Sequence, residues 1–291
     1  MSEIKDNNLY YVGGAVRDEF LGVPSFDTDY CYEGNAISFA QEHKLNIIKE
    51  NPDFGTVRVL FEEKEIDIAS TRKETYPIAG HLPKVTDIGC PLEDDLKRRD
   101  FTINAIAKNT VTGKLTDCFG GLEDIKNKKL KVLHDMSFAD DPTRILRGLK
   151  FSVRFGFELD EHTKKLQDEY LNNINYDMSM HRLKKELIET FNLNNAEAFD
   201  RFKAQNIWKL LGKSAYCPNM GGSEIKNAIG DFSSENIWLV YMSFFGILNS
   251  EIPFTKKEKT ILEWAEKLKH QTSTNNTPPE SIIIQSVTEK M

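Results

Sequence analysis

A chain of 291 residues is long enough to bury more than one core, and its four scattered cysteines, with no Cys-x-x-Cys pair, exclude a disulfide framework and a zinc ribbon. The net charge of -7 excludes a protein that coats nucleic acid nonspecifically, because such binding rests on Lys and Arg neutralising phosphates. No apolar run approaches the roughly 18 residues of a membrane span, and the polar start from Met1 to Asn8 lacks a signal-peptide core, so the expectation is a cytoplasmic protein with no membrane partner.

In chain order, Leu9–Val12 is a short β-prone run that ends in Gly13-Gly14, after which Ala15 to Leu21 has helical spacing and stops at Gly22. Asp27 to Tyr32 alternates as a strand does, Asn35 to His43 reads as a helix, and Thr56 to Phe61 and Glu65 to Ala69 read as two strands around a charged turn. The segment from Arg72 to Gly89 is rich in Gly and Pro and reads as a long loop, a class that is more often functional than idle. Apolar residues at threes and fours then predict helices over Pro142 to Phe155, His162 to Leu171, Arg182 to Phe191 and Ala196 to Leu211, while Gly221-Gly222 and Thr272 to Pro279 read as loops. The pattern predicts an α/β first part with a small mixed sheet, followed by an all-α part. Trp208, Trp238 and Trp264 in the helical part read as core, and the isolated histidines carry no motif.

The chemistry concentrates near the start. Two glycines after a strand let backbone approach a phosphate and present N–H donors at a helix N-terminus; Arg17 would face the same anion. Asp27 and Asp29 are two apart on a predicted strand, so their carboxylates share one side, the arrangement that suits Mg²⁺. Singly, the first is a turn and the second a solvated strand end; in order and within seventeen residues, they point to phosphoryl chemistry. Further on, Asp141, Arg144 and Arg147 stand at i, i+3 and i+6, so Asp141 and Arg144 can offer acceptor and donors together to a base edge.

Val12-Gly-Gly-Ala-Val-Arg-Asp18, with Leu21-Gly22 and Asp27-Thr-Asp29, resembles the signature of the class II CCA-adding enzymes and bacterial poly(A) polymerases. Three further stretches agree: Arg98-Arg99-Asp100-Phe-Thr-Ile-Asn-Ala105 resembles the family's ribose-contacting motif, Asp117 to Asp124 the hinge between head and neck, and Asp141-Pro-Thr-Arg-Ile-Leu-Arg147 the base-reading helix. The resemblance implies a nucleotidyltransferase head over 1-135, a helical neck over 136-205 and a shortened helical body over 206-291. It also implies that Gly13, Gly14, Arg17, Arg99, Asp100 and Asn104 hold the nucleotide's ribose and phosphates, that Asp141, Arg144, Arg147 and Lys150 read its base, and that the loop from Arg72 to Gly89 moves as the nucleotide changes. Asp67, between Ile66 and Ile68, falls where the family keeps a third carboxylate; an exposed strand acid is the alternative.

The implied reaction is Mg²⁺-dependent transfer of CMP and AMP from CTP and ATP to the 3′ end of tRNA or another RNA, with Asp27, Asp29 and Asp67 catalytic and Asp27 and Asp29 on the metal. A-only addition, poly(A) synthesis, CC-only addition and a silent RNA-binding module stay open as alternatives. The chain departs from the family at Asp140, where Glu is usual, at Lys150, where Arg commonly stands, and after residue 205, where the match fades. Basic clusters at Lys97 to Arg99, Lys126 to Lys131, Arg144 to Arg154 and Lys164-Lys165 are candidates for an RNA-facing groove.

Overall fold

The computed structural model describes residues 4–24, 29–230, 234–272 and 287–288. The chain forms two compact units, one from Met1–Ile78, Leu82–Ser137 and Glu158–Thr163, the other from Ala79–His81, Phe138–Phe157 and Lys164–Met291.

The first unit is built on β1 (Leu9–Val12), α1 (Gly14–Leu21), β2 (Asp29–Tyr32), α2 (Ala36–Glu42), β3 (Asn46–Asn51), β4 (Thr56–Phe61) and β5 (Lys64–Ser70). There follow β6 (Arg72–Thr75), β7 (Lys84–Ile88), α3 (Leu92–Lys97), β8 (Ile106–Asn109), β9 (Leu115–Asp117), α4 (Gly121–Lys126) and β10 (Lys129–Leu130). Seven strands make one mixed sheet in the order β3-β4-β5-β2-β1-β8-β9, in which β2 and β5 run parallel and the other neighbours antiparallel. The period of two along each strand sorts the residues to two faces. Leu9, Tyr30, Val57, Val59 and Ile68 pack under α2 with Ala36, Phe39 and Ala40. Val12 and Cys31 face the other way, under Leu92 and Leu96 of α3. The Asn35 side chain caps α2 by accepting from Ile37 and Ser38 N–H groups, and Gly22 in the left-handed region ends α1.

Three sequence expectations change here, and one strand is added for which the sequence offered no reading. Asn46–Asn51, which lacks clean alternation because its residues are mostly exposed, is an edge strand. The segment from Arg72 to Gly89 is an antiparallel hairpin of β6 and β7 and not a long loop. The predicted helix over Ala196 to Leu211 breaks after Ala204, where Asn206 takes φ 58°. Gly222, expected in a loop, is the buried first residue of a helix. Asp27 and Thr28, and residues 273–279 of the C-terminal loop expectation, lie outside the described residues.

The second unit is helical, through α5 (Ser137–Asp140), α6 (Thr143–Phe155), α7 (Glu161–Asn172), α8 (Met180–Phe191), α9 (Ala196–Ala204), α10 (Gly222–Ile229), α11 (Ile237–Met242) and α12 (Lys256–Thr272). Its core is aromatic: Phe191, Phe199, Phe202, Tyr241 and Phe245 stand with ring centroids 5.2–5.8 Å apart. Trp238, on the same helix as Tyr241, is buried, whereas Trp208 and Trp264 are only half-buried. Among the described residues no helix is long and apolar enough to cross a membrane. All four cysteines are free thiols, as their spacing predicted.

The Gly221-Gly222 pair yields a stability test. A Cβ on Gly222 would stand 2.1 Å from the Ala196 carbonyl oxygen, so α10 touches α9 backbone to backbone, whereas one on Gly221 would meet its nearest neighbour, Asp200, at 3.7 Å. Gly222→Ala should therefore destabilise the protein by about 3 kcal/mol through overpacking, and Gly221→Ala by no more than about 1 kcal/mol as an altered N-cap. Urea denaturation of the two variants measures the difference.

Candidate active site

The turn after β1 is set by Gly13, whose φ of 63° suits glycine and whose Cβ, were it present, would lie 3.2 Å from the Arg99 guanidinium. Arg17, one turn into α1, is buried, and its Nε and Nη2 donate to Asp18 Oδ1 at 2.8 and 2.6 Å. Its Nη1 donates to Asn104 Oδ1 at 2.6 Å, and Asn104 Nδ2 donates in turn to Asp100 Oδ1 at 2.9 Å. Gly13, Gly14, Arg17, Arg99, Asp100 and Asn104 thus form one hydrogen-bonded neighbourhood at the mouth of the β1 turn. It is held from behind: Asp117 accepts from the Gly121 and Leu122 N–H groups at 2.8 and 2.9 Å, and Asp124 accepts from the Thr102 hydroxyl at 2.6 Å.

Sequence reasoning missed the residue that positions the arginines. Asp95, fully buried in α3, accepts from Arg98 Nε and Nη2 at 3.0 and 2.7 Å on one oxygen and from Arg99 Nη2 at 3.0 Å on the other. The Arg72 N–H and the Cys31 thiol also point at it, at 3.2 and 3.7 Å. Burial alone would raise the Asp95 pKa, but the charges of Arg99 and Arg98 outweigh it and hold the group below the usual carboxylate range. Burial, then Asp95, pushes the Cys31 thiol far up. The signal was present in the i, i+3 and i, i+4 spacing of Asp95 to Arg98 and Arg99, a run that the sequence reading assigns only to RNA and nucleotide contact. Arg99 retains one buried donor, Nε, with no hydrogen-bond partner.

A cavity of about 450 Å³ opens beside this neighbourhood, with Val12, Asp29, Arg58, Asp67 and Arg99 among its lining. Asp29 opens β2 and is the register partner of Asp67 on the parallel strand β5, which places both on one face of the sheet. Arg58 forks onto Asp67, with Nε to Oδ1 and Nη2 to Oδ2 both at 2.7 Å. Asp27 lies outside the described residues, and among those described no three His, Cys, Asp or Glu side chains gather as a metal site. The cavity is lined by three acids, Asp29, Asp67 and Glu50, of which the register partners Asp29 and Asp67 offer hard oxygen donors suited to Mg²⁺, with no thiol or imidazole lining it.

In the second unit Asp141 is buried; its Oδ1 accepts from the Thr143 N–H and hydroxyl at 3.1 and 2.6 Å, and its Oδ2 accepts from Arg182 Nη2. Arg144 Nε stands 4.0 Å from the same oxygen. Arg182, which the sequence did not single out, also donates to the His81 carbonyl at 3.3 Å. Arg147 approaches Glu186 at 3.5 Å, and Lys150 Nζ is held by Glu186 and Glu189 at 2.9 and 2.5 Å. The Lys164-Lys165 cluster is likewise paired, to Asp168 and Glu169.

Because the folded Asp95 titrates below an unfolded aspartate, its contribution is fully present above about pH 4 and is lost as pH falls through the folded value. Asp95→Asn should cost about 3–5 kcal/mol, the penalty for breaking a buried ion pair on one side. It should also flatten the acid limb of stability against pH, read from urea midpoints between about pH 7 and pH 3.

Residues 9–131 match the poly A polymerase head domain. An A-adding tRNA nucleotidyltransferase of Aquifex aeolicus is 45% identical over 170 residues, covering 56% of this chain and 20% of that protein. A CCA-adding enzyme of Streptococcus pneumoniae is 31% identical over 276 residues, covering 89% of this chain and 65% of that one. The chain therefore spans less than two thirds of either relative. A solved CCA-adding enzyme in an apo form superposes with a TM-score of 0.78 at 27% identity, over 97% of this chain and 75% of that structure. On these matches residues 9–131 are similar to the poly A polymerase head domain, and most of the chain is similar to CCA-adding tRNA nucleotidyltransferases.

Proposed function

We propose that the chain adds CMP and AMP from CTP and ATP to the 3′ end of tRNA. The observation that carries the reading is the union, in one unit, of a glycine turn backed by Arg17 and Arg99 with a carboxylate pair, Asp29 and Asp67, on the neighbouring strands. The RNA 3′-hydroxyl attacks the α-phosphate of the bound nucleotide, its proton leaves with solvent, and the bond to the departing pyrophosphate breaks. Gly14 amide, Arg17 and Arg99 bind the triphosphate, Arg99 from the lining of the cavity. Asp100 and Asn104 set the ribose. Mg²⁺, bound by Asp27 and Asp29, would lower the pKa of the attacking hydroxyl and neutralise charge on the phosphates.

Asp141 and Arg144 select the base, Arg182 holds Asp141 in place, and Arg147 and Lys150 brace the same helix against Glu186. We read residues 1-135 as the head, 136-205 as the neck and 206-291 as part of a helical body, in a protein that works in the cytoplasm. A second reading, addition of A alone, is favoured by the 45% identity of the A-adding relative across 170 residues. Substrate tRNAs ending at the discriminator base, at C and at CC, each offered one nucleotide, separate the two.

Asp29→Ala should abolish incorporation while the protein stays folded, since it removes an exposed cleft carboxylate and no core contact. Circular dichroism and labelled CTP or ATP read both halves; a folded variant with substantial activity removes Asp29 from catalysis. Asp141→Ala and Arg144→Ala should relax the choice among the four nucleotides more than they slow turnover, because they address the base and not the phosphate. Selectivity unchanged at reduced turnover would assign them a structural role.

A further inference from the structure

Across four adjacent strands of the first unit runs a single row of register partners, Lys49 on β3, Arg58 on β4, Asp67 on β5 and Asp29 on β2. All four line the same cavity. Two cations on the edge side thus face two carboxylates on the inner side. We propose that Lys49 and Arg58 are the docking subsite for the phosphate of the RNA's 3′-terminal nucleotide, and that this phosphate takes Arg58 away from Asp67. The proposal rests on the transferase reading above and extends it to the position of the attacking strand.

The direction of attack follows from the sheet order. In-line displacement puts the entering hydroxyl and the leaving pyrophosphate on opposite sides of the α-phosphorus. The groups that suit the leaving side, the Gly13-Gly14 turn and Arg17, follow β1, next to β2. The RNA must then come from the other side of Asp29, over β5, β4 and β3, where the sheet ends in an edge strand. Neighbouring strands are about 4.8 Å apart, so Arg58 and Lys49 stand two and three strand spacings from Asp29, within reach of a phosphate one nucleotide back from the reacting hydroxyl.

The chemistry of the row agrees with this placement. Lys49 pairs with no carboxylate among the described residues. Its neighbour Glu50 accepts from Gln41 of α2, on the opposite face of the sheet. Arg58 is held by Asp67 and, at 3.4 Å, by Glu65, in pairs whose side chains are about half exposed. Exposed ion pairs contribute little, whereas a guanidinium forks onto phosphate as well as onto carboxylate, so an arriving RNA can exchange partners at small cost. Exchange frees both Asp67 oxygens. The third carboxylate is therefore occupied by Arg58 until RNA arrives.

Fluorescence anisotropy of a dye-labelled acceptor-stem minihelix with a single-stranded 3′ end, titrated with full-length protein over a range of salt, tests the proposal. Arg58→Ala and Lys49→Ala should each weaken RNA binding several-fold at low salt and flatten the plot of log affinity against log salt by about 0.7 for each phosphate that is no longer neutralised. Calorimetric affinity for CTP and ATP without RNA should stay within about twofold of wild type. Arg58→Lys should restore part of the binding, since it keeps the charge and loses the fork. Asp67→Asn should move the other way, tightening RNA binding by releasing Arg58 while incorporation falls. Unchanged RNA affinity and salt slope in both alanine variants, or an equal loss of nucleotide affinity, overturns the subsite; tighter binding absent in Asp67→Asn overturns the exchange. If wild type binds the minihelix yet incorporates nothing, the transferase reading fails, whereas normal wild-type incorporation with silent variants sinks only this proposal.

Discussion

An ionised carboxylate cannot be buried without cations or hydrogen-bond donors arranged around it, and Asp95 is that carboxylate in the first unit. Its two oxygens take the Arg98 and Arg99 guanidiniums, and the Arg72 N–H closes the shell. Arg98 reaches on to Glu74, so β6 is tied to the same centre. Arg99 in turn is pressed toward Gly13, where a side chain would crowd it. The glycine turn, the helix α3 and the hairpin of β6 and β7 therefore depend on one charge, which also aims Arg99 at the glycine turn.

The second constraint is the period of the strands. Along β4 and β5, Val57, Val59 and Ile68 enter the core under α2, and the alternate positions Arg58 and Asp67 must then share the opposite face. A single parallel pair, β2 with β5, brings Asp29 level with Asp67 although 38 positions separate them in the chain. Burial on one face thus fixes the alignment of charge on the other, because a slip of one residue would turn the valines out to solvent.

The elements that carried chemistry were readable because their local signals agreed with their tertiary setting. Gly13-Gly14 after Leu9–Val12, the Asn35 cap before α2 and the alternation of Thr56 to Phe61 each describe a structure that short-range physics already prefers. The omissions and misreadings occurred where long-range contacts decide. Asn46–Asn51 is a strand because β4 pairs with it, and its exposed residues show no apolar period. Gly222 opens a helix because the Ala196 carbonyl lies where a side chain would be, which no local pattern announces. In the site, Arg17, Arg99, Asp100 and Asn104 were legible as a motif, but Asp95 and Arg182 were not, since an acid in an acidic helix and a lone arginine in an amphipathic one look like ordinary surface charge.

The arginines of the site, and Lys150 with them, are engaged before any substrate arrives. Arg17 lies on Asp18 and Asn104, Arg58 on Asp67, Arg99 on Asp95, Arg182 on Asp141 and Lys150 on Glu186 and Glu189. An unpaired buried arginine would be costly, and a carboxylate partner offsets that cost and keeps the guanidinium oriented. The depth of each pair then divides the arginines by role. Asp95 is fully buried and cannot be displaced without losing the fold, so Arg99 stays fixed on this partner. Asp67 is half exposed, its hold on Arg58 is weak, and exchange with an incoming anion costs little. Under the proposed transferase reading, fixed donors suit a triphosphate held in one geometry, and exchangeable donors suit the arriving RNA.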